Sequence, residues 1–471
     1  MNRISKIFLV TLCIIYGTSL NAQIGTPSCG SHKLMEYMDR NTTGFLDQSD
    51  DFMMQLIQVI SHQSHERDDD DLYVIPVVFH VIYNNNNENI PDSVLFNQIE
   101  ILNDCFRRHN ADAINTRPEF HDIVGDSKIE FKLAEIDTNG LATNGITRMY
   151  SDVENFGGIL PYSAGQVQEI SDWVNDSLLY NIFRITQTSL GGENAWDPER
   201  YLNIWIGDLR IFEPQFNNFE ELVYFGLATP PINHINWPDS IINAIDTLGG
   251  DGVIMHYVNI GGNNPNSFTG PYAGYNGLVT TGKMLVHEVG HYLGLRHIWG
   301  DGNCTHDDYI SDTPNSDSNS GFGCNQNSNS CVDNIGGLDL HNMIENYMDY
   351  SDANCQNSFT IGQIEVMRTV LEINRVDLAE AFSTANTDDW SLLLTMNLYP
   401  NPNSGEFNID LGTVYETVEL SIFNSVGQLV ANQYFRKTDL LTINLDLEKG
   451  IYFIRISSDT ENNQLIKLIV N

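Results

Sequence analysis

Residues 287 to 297, His-Glu-Val-Gly-His-Tyr-Leu-Gly-Leu-Arg-His, combine three histidines and a glutamate at spacings that suit a metal ion. On a helix, residues four apart leave the same face about one turn apart, so the imidazoles of His287 and His291 can grip one ion. Gly294 stops the helix, because glycine accepts the left-handed conformation that turns the backbone round, and the turn delivers His297. Three neutral nitrogen ligands leave the fourth position of a tetrahedral zinc open to water, as in catalytic sites, whereas a closed structural site needs a fourth protein ligand. Glu288 stands beside the ligands to take that water's proton. A single histidine is most often a satisfied core or surface residue. The whole string arises by chance in roughly 4 of 100,000 chains containing 13 His and 36 Gly in 471 residues.

The elements that must hold this helix are legible around it. Leu72 to Tyr83 is a β-branched run suited to a buried strand, with His80 as a core residue. Pro91 and Asp92 open a helix whose apolar positions Leu95, Ile99, Leu102 and Phe106 keep helical spacing. Ile129 to Ile136 alternates as a half-solvated strand, and Leu202 to Ile206 and Gly252 to Val258 read as two more. Strands interleaved with helices predict a mixed α/β sheet with the metal-binding helix packed beneath it. Leu222 to Thr229 is placed as the edge strand on which an extended peptide adds by backbone hydrogen bonds.

Composition narrows the setting. A net charge of −39 argues against nucleic acid and anionic membrane as partners, since both would repel the chain, and 41% hydrophobic content is ample for real cores. Arg3 and Lys6 precede the apolar run Ile7 to Tyr16, and Asn21-Ala22-Gln23 follows, which predicts a secretory signal peptide over residues 1–22. That run is too short to span a bilayer, so no transmembrane segment is expected after its removal. Residues 23–71 are polar and end in the charged run His65 to Asp71, which reads as a propeptide. Within it, the Cys29 thiolate is a good zinc ligand able to fill the open position until the segment is removed; a disulfide with Cys105 or an inert thiol are the alternatives. Cys304, Cys324, Cys331 and Cys355 crowd into the stretch after the zinc helix, where three pairings are open. Cys105 lies near an apolar stripe, as a buried free thiol would.

The zinc string followed by a later methionine turn is the metzincin signature, and Asn346-Tyr347-Met348-Asp349-Tyr350 supplies the turn, with Met348 as the floor under the imidazoles. The string, its continuation Ile298-Trp299-Gly300-Asp301-Gly302, the motif Ser311-Asp312-Thr313-Pro314, the methionine turn and Phe359-Thr360-Ile361-Gly362-Gln363 together resemble the pappalysin family of metzincin endopeptidases. The resemblance covers roughly residues 72–380 and implies a zinc endopeptidase acting on proteins or peptides. It further implies the pairs Cys304–Cys331 and Cys324–Cys355, calcium in the loop around Asp-Thr-Pro with Asp308 and Asp312 as candidate ligands, and Tyr350 as a tyrosine that stabilises the oxyanion. The Cys29-Gly30 pair similarly resembles a cysteine switch. Cys105 departs from the family pattern.

After a polar linker at 381–396, short alternating runs such as Val418, Leu420 and Ile422 or Tyr452, Ile454 and Ile456 predict a small all-β sandwich over 397–471. Leu398 to Gly405, Gly450 to Ile456 and Lys467 to Val470 resemble the sorting domain read by type IX secretion machinery. The expectation is therefore a secreted zinc endopeptidase made as a latent precursor, with its catalytic domain at 72–380. The competing class is an exported binding or adhesion protein with a structural zinc, against which Glu288 counts, because a structural site needs no base.

Overall fold

The computed structural model describes residues 28–42, 44–63, 72–159, 178–213, 219–222, 224–231, 249–267, 280–320, 323–378, 397–400, 403–424, 429–445, 447, 449–458 and 463–470. The expected signal peptide, the charged run at 65–71, the linker and the Ser425-Val426-Gly427 turn lie outside the described residues.

In chain order the first elements are β1 (Ser28–Cys29), α1 (Ser31–Asn41), α2 (Phe45–Gln63), β2 (Tyr73–Tyr83) and α3 (Asp92–Phe106). Strands β3 (Ile129–Leu133), β4 (Ile146–Tyr150), β5 (Gly158–Ile159), β6 (Leu202–Gly207), β7 (Ile211–Glu213), β8 (Phe219–Glu221), β9 (Tyr224–Ala228) and β10 (Val253–His256) follow. Helix α4 (Lys283–Tyr292) carries His287, Glu288 and His291, and α5 (Ile361–Ile373) closes this part of the chain. A separate set comprises β11 (Asn397–Tyr399), β12 (Glu406–Asn424), β13 (Leu429–Asn444), β14 (Gly450–Ser458) and β15 (Asn463–Val470).

The main sheet is mixed and runs β1-β9-β10-β6-β2-β3, with β4 continuing the β3 side of β2. Its centre is β2, whose eight residues Ile75 to Ile82 are all buried, as a strand covered on both faces requires. His80 fits there because both ring nitrogens are satisfied, Nδ1 with Thr147 Oγ1 and Nε2 with Asn203 Oδ1, each at 2.9 Å. Strands β2, β6 and β10 run parallel, and β9 turns antiparallel to β10. Strand β9 falls within the expected edge segment, and β1 from the N-terminal segment is added to it. The strand expected over 252–258 ends at His256, beyond which Tyr257–Asn259 forms a 3-10 turn. Strands β5, β7 and β8 make a small separate sheet.

The segment before β2, polar in overall composition, forms two helices that belong to the same core. Leu34, Met38, Phe45, Phe52, Met53 and Leu56 are buried in one apolar cluster with β2, β6, α4 and α5. In the loops between α4 and α5, disulfides join Cys304 to Cys331 and Cys324 to Cys355, while Cys29 and Cys105 form no disulfide. The C-terminal set is all antiparallel, with β12 changing register between Asp410 and Tyr415 so that both of its halves pair with β13. Phe407, Ile409 and Ile443 from one half and Val418, Ile422, Ile454 and Leu468 from the other fill one core, distinct from that of the main sheet.

Candidate metal centre

Helix α4 is pinned at both ends. At its start, Gly282 has φ +68° and lies so close to α3 that a Cβ would come within 2.7 Å of Ile101 Cδ1, and Gln98 Nε2 donates to the Gly282 carbonyl at 3.0 Å. The buried Lys283 ammonium donates to Asp112 Oδ2 at 2.5 Å and to the carbonyls of Gln356 and Ala353 at 2.6 and 3.0 Å. At its end, Gly294 has φ +94°, and a Cβ there would come within 2.9 Å of Val370 on α5. This is the turn that returns the chain and brings His297 back to the helix.

The three imidazoles meet at one point. His291 Nε2 lies 3.2 Å from His287 Nε2 and 3.1 Å from His297 Nε2. Tetrahedral ligands at about 2.0–2.1 Å from zinc are separated by about 3.3 Å, so this spacing fits one ion. Each Nδ1 is engaged elsewhere: His287 donates to the Tyr347 carbonyl at 2.6 Å, His291 to the Leu295 carbonyl at 2.8 Å and His297 to Asp301 Oδ1 at 2.5 Å. With the protons on Nδ1, three lone pairs converge, an arrangement that a cation resolves. Burial, with His297 nearby, pushes the His287 pKa down to about 3 and that of His291 well below its usual value, so both rings are neutral.

Cys29 is the fourth member of this cluster, its ligand atom and those of the three histidines all lying within 4.8 Å of one another. It reaches the site because β1 pairs in parallel with β9, Ser28 opposite Tyr224 and Cys29 opposite Gly226. Its Sγ donates to Glu288 Oε2 at 3.3 Å, and Ser31 Oγ donates to the same oxygen at 2.9 Å. Ser31 Oγ also accepts the Ala228 backbone N–H of β9 at 2.8 Å. Burial raises the Glu288 pKa to about 8 against these two donors, which pull it down.

Tyr350 closes the other side, its ring 4.9 Å from that of His297 and its hydroxyl donating to the Cys29 carbonyl at 3.4 Å. Met348 lies fully buried beneath the helix, in the space a Cβ at Gly290 would enter, since that Cβ would come within 2.5 Å of Met348 Sδ. The methionine turn is held by Asn346, whose Oδ1 accepts the Met348 N–H at 2.9 Å and whose Nδ2 donates to Gln363 Oε1 at 2.8 Å. Gln363 in turn forms the capping box of α5 with Thr360.

Asp308 and Asp312 sit in the disulfide-bonded loops and outside the histidine cluster. Asp308 Oδ1 accepts from Ile310 N and Thr313 Oγ1 at 3.0 and 2.8 Å, and Asp312 Oδ2 accepts from Gly362 N at 2.7 Å. Their other oxygens, Asp308 Oδ2 and Asp312 Oδ1, are buried with no hydrogen-bond partner among the described residues. Burial raises both carboxyl pKa values. Ser31, Lys283 and Asp301 are site residues that motif reading did not single out; for Asp301, the signal available was its place between two glycines directly after the third histidine.

A mixed sheet over a helix with three convergent imidazoles, an adjacent carboxylate and a methionine turn defines a metallopeptidase of the metzincin class. The chain belongs to the pappalysin family, residues 261–372 matching the model described as pregnancy-associated plasma protein-A. Residues 397–471 match the secretion system C-terminal sorting domain. Among solved structures the chain is similar to a promirolysin mutant of Tannerella forsythia, with 32% identity and a TM-score of 0.55 over 76% of this chain and 98% of that one. It is also 33% identical to an extracellular metalloprotease of Colletotrichum graminicola over 30% of this chain and 45% of that protein. An extracellular metalloprotease of Arthroderma benhamiae is 46% identical over 17% of this chain and 28% of its own length. The chain thus spans less than half of these two fungal relatives. The sorting domain and the extracellular relatives make this a secreted protein, and no described helix is long and apolar enough to cross a membrane.

Proposed function

We propose that the chain is the latent precursor of a zinc endopeptidase, with His287, His291 and His297 as zinc ligands, Glu288 as general base and Tyr350 as oxyanion donor. The observation that carries this reading is the meeting of three Nε2 atoms at 3.1–3.2 Å beside Glu288. When bound, zinc supplies a Lewis acid that acidifies its water and polarises the substrate carbonyl. Glu288 would take a proton from the attacking water as its oxygen bonds to the scissile carbonyl carbon, and would give that proton to the amine as the C–N bond breaks. The edge of β9 binds the substrate backbone as it now binds β1, with the Ala228 N–H among the groups set free when Ser31 leaves. Tyr350 donates to the oxygen that becomes negative, as its hydroxyl now donates to the Cys29 carbonyl.

Residues 23–71 are the pro-segment in this reading, 72–380 the catalytic domain and 397–471 the module handed to type IX secretion machinery. Latency follows from occupancy, since Cys29 takes the fourth ligand position, Ser31 takes the base and β1 fills the peptide edge. Calcium belongs in the loop of Asp308 and Asp312, whose partnerless buried oxygens suit a hard cation. The test is digestion of an unbiased peptide library by protein lacking residues 1–71, with and without a zinc chelator, beside Glu288→Ala. Chelator-sensitive cleavage that falls at least about a thousandfold in the variant, which still binds zinc, is expected. Intact turnover in the variant refutes the role of Glu288, and a folded, zinc-loaded wild-type protein without hydrolysis refutes the peptidase.

A further inference from the structure

The three histidines are not oriented alike. His287 and His291 give their Nδ1 protons to neutral backbone carbonyls, those of Tyr347 and Leu295, whereas His297 gives its proton to the carboxylate of Asp301 at 2.5 Å. The chain adopts an uncommon backbone to make this contact. Gly300 and Asp301 both have φ +56°, and for Asp301 this is the left-handed region that side-chain-bearing residues rarely enter. The turn is closed by Gly300 N donating to the His297 carbonyl at 2.9 Å and Gly302 N to the Trp299 carbonyl at 3.2 Å. Within it, Trp299 stacks on the His297 ring, centroids 4.3 Å apart and planes within 6°. The turn therefore holds His297 from two directions, the indole fixing the plane of the ring and the carboxylate fixing its rotation within that plane.

The second oxygen of the same carboxylate faces the N-terminal segment. His32 Nδ1 lies 3.3 Å from Asp301 Oδ2, and His32 Nε2 lies 2.9 Å from Glu36 Oε1 on the same helix. Asp301 thus joins a ligand of the metal to helix α1, one oxygen to each.

Resting on the zinc reading above, we propose that Asp301 is a positioning residue for His297. Its charge holds the ring as the Nδ1–H tautomer, aims Nε2 at the metal and strengthens that nitrogen as a donor, while its other oxygen is the docking point of the pro-segment through His32. A carboxylate in this place makes the imidazole a better donor than a carbonyl does, so His297 contributes more to metal retention than geometry alone would give it. Removal of the pro-segment frees Oδ2 and leaves Oδ1 on His297.

The test uses the full chain and the variants Asp301→Asn and Asp301→Ala. Asn keeps an acceptor of the same size and removes the charge; Ala removes both. Zinc dissociation constants are measured by competition with a chromophoric chelator, and far-UV circular dichroism and thermal midpoints of the zinc-free proteins report folding. Wild-type protein is expected to bind one zinc, both variants to bind it about 10–100-fold more weakly, and the far-UV spectra of the zinc-free proteins to match, with a lowered midpoint reporting the lost contact to His32. Cobalt(II) replacing zinc is expected to show a shifted visible spectrum in Asp301→Asn. Zinc affinity in Asp301→Asn equal to wild type overturns the proposal and leaves the peptidase reading intact, whereas wild-type protein that binds no zinc overturns both. Should the variants misfold, nitrogen-15 spectra of histidine-labelled, zinc-loaded wild-type protein decide the matter. The Nδ1 proton of His297 must lie downfield of those of His287 and His291, and coincident resonances contradict the proposal.

Discussion

At the scale of single residues, the proposed latency needs a contact at Glu288 that does not depend on Cys29, because a Cys29 thiolate bound to metal has no proton to donate. Glu288 Oε2 takes the Ser31 hydroxyl at 2.9 Å and the Cys29 thiol at 3.3 Å. A hydrogen bond to a charged group contributes about 1.5–3 kcal/mol, and every 1.4 kcal/mol is about tenfold in an equilibrium. Ser31 therefore restrains the site separately from any bond between Cys29 and the metal. Full chain carrying Cys29→Ala is expected to remain partly latent, and adding Ser31→Ala to raise its initial rate on a quenched peptide by at least about tenfold. A single Cys29→Ala change that already gives the rate of the processed enzyme contradicts this role. The histidines and Glu288 were legible in the sequence because their spacing is set by the helix and the glycine turn. Ser31 was not, because a lone hydroxyl in a polar stretch carries no pattern, and its meaning arises only when β1 lies on β9, its partners 196 and 197 positions away in sequence.

At the scale of elements, α4, the end of β9 and α5 are tied together by one buried ion pair. Arg375, just past α5, donates to Asp251 Oδ2 at 2.5 Å and Oδ1 at 3.0 Å, to the Tyr292 carbonyl at 3.2 Å, and lies over the Tyr292 ring at 3.4 Å. Asp251 also accepts the hydroxyl of Thr229, which follows β9, at 2.5 Å. Removing one partner leaves an uncompensated buried charge, which costs about 3–5 kcal/mol. Arg375→Met is expected to lower stability to urea unfolding by that amount, and Arg375→Met with Asp251→Leu to recover part of it. A single variant as stable as wild type shows that the pair is not fully formed in solution. Neither partner announced itself in the sequence, since they lie 124 positions apart. Strand β2 and helix α3 were legible because their apolar periodicity is local. The two helices before β2 were not, because α2 interleaves its core residues Phe45, Phe52, Met53 and Leu56 with aspartate, glutamine and serine, and its packing partner α5 is some 300 positions away.

At the scale of the whole molecule, the described residues of 397–471 bury a cluster of their own that shares no residue with the main one. The C-terminal module expressed alone is expected to unfold in a single cooperative transition. The chain lacking it is expected to keep its peptidase rate after processing while failing to leave the cell. Loss of hydrolysis in that truncated, processed protein shows that the module supports the catalytic part directly. The net charge of −39 suits a secreted, soluble protein and says nothing of the fold. The C-terminal strands were legible from their alternation, whereas the continuous pairing of β12 through a register shift depends on residues far apart in the chain and was not.

In the proposed precursor, His287, His291, His297 and the Cys29 thiolate would together hold zinc, and removal of residues 1–71 would take the thiolate away. X-ray absorption at the zinc edge measures this directly on the zinc-loaded full chain and again after removal of residues 1–71. About three nitrogen neighbours at about 2.0–2.1 Å and one sulfur near 2.3 Å are expected in the precursor, with the sulfur replaced by a light atom in the processed enzyme. A precursor shell made only of nitrogen and oxygen contradicts that proposal.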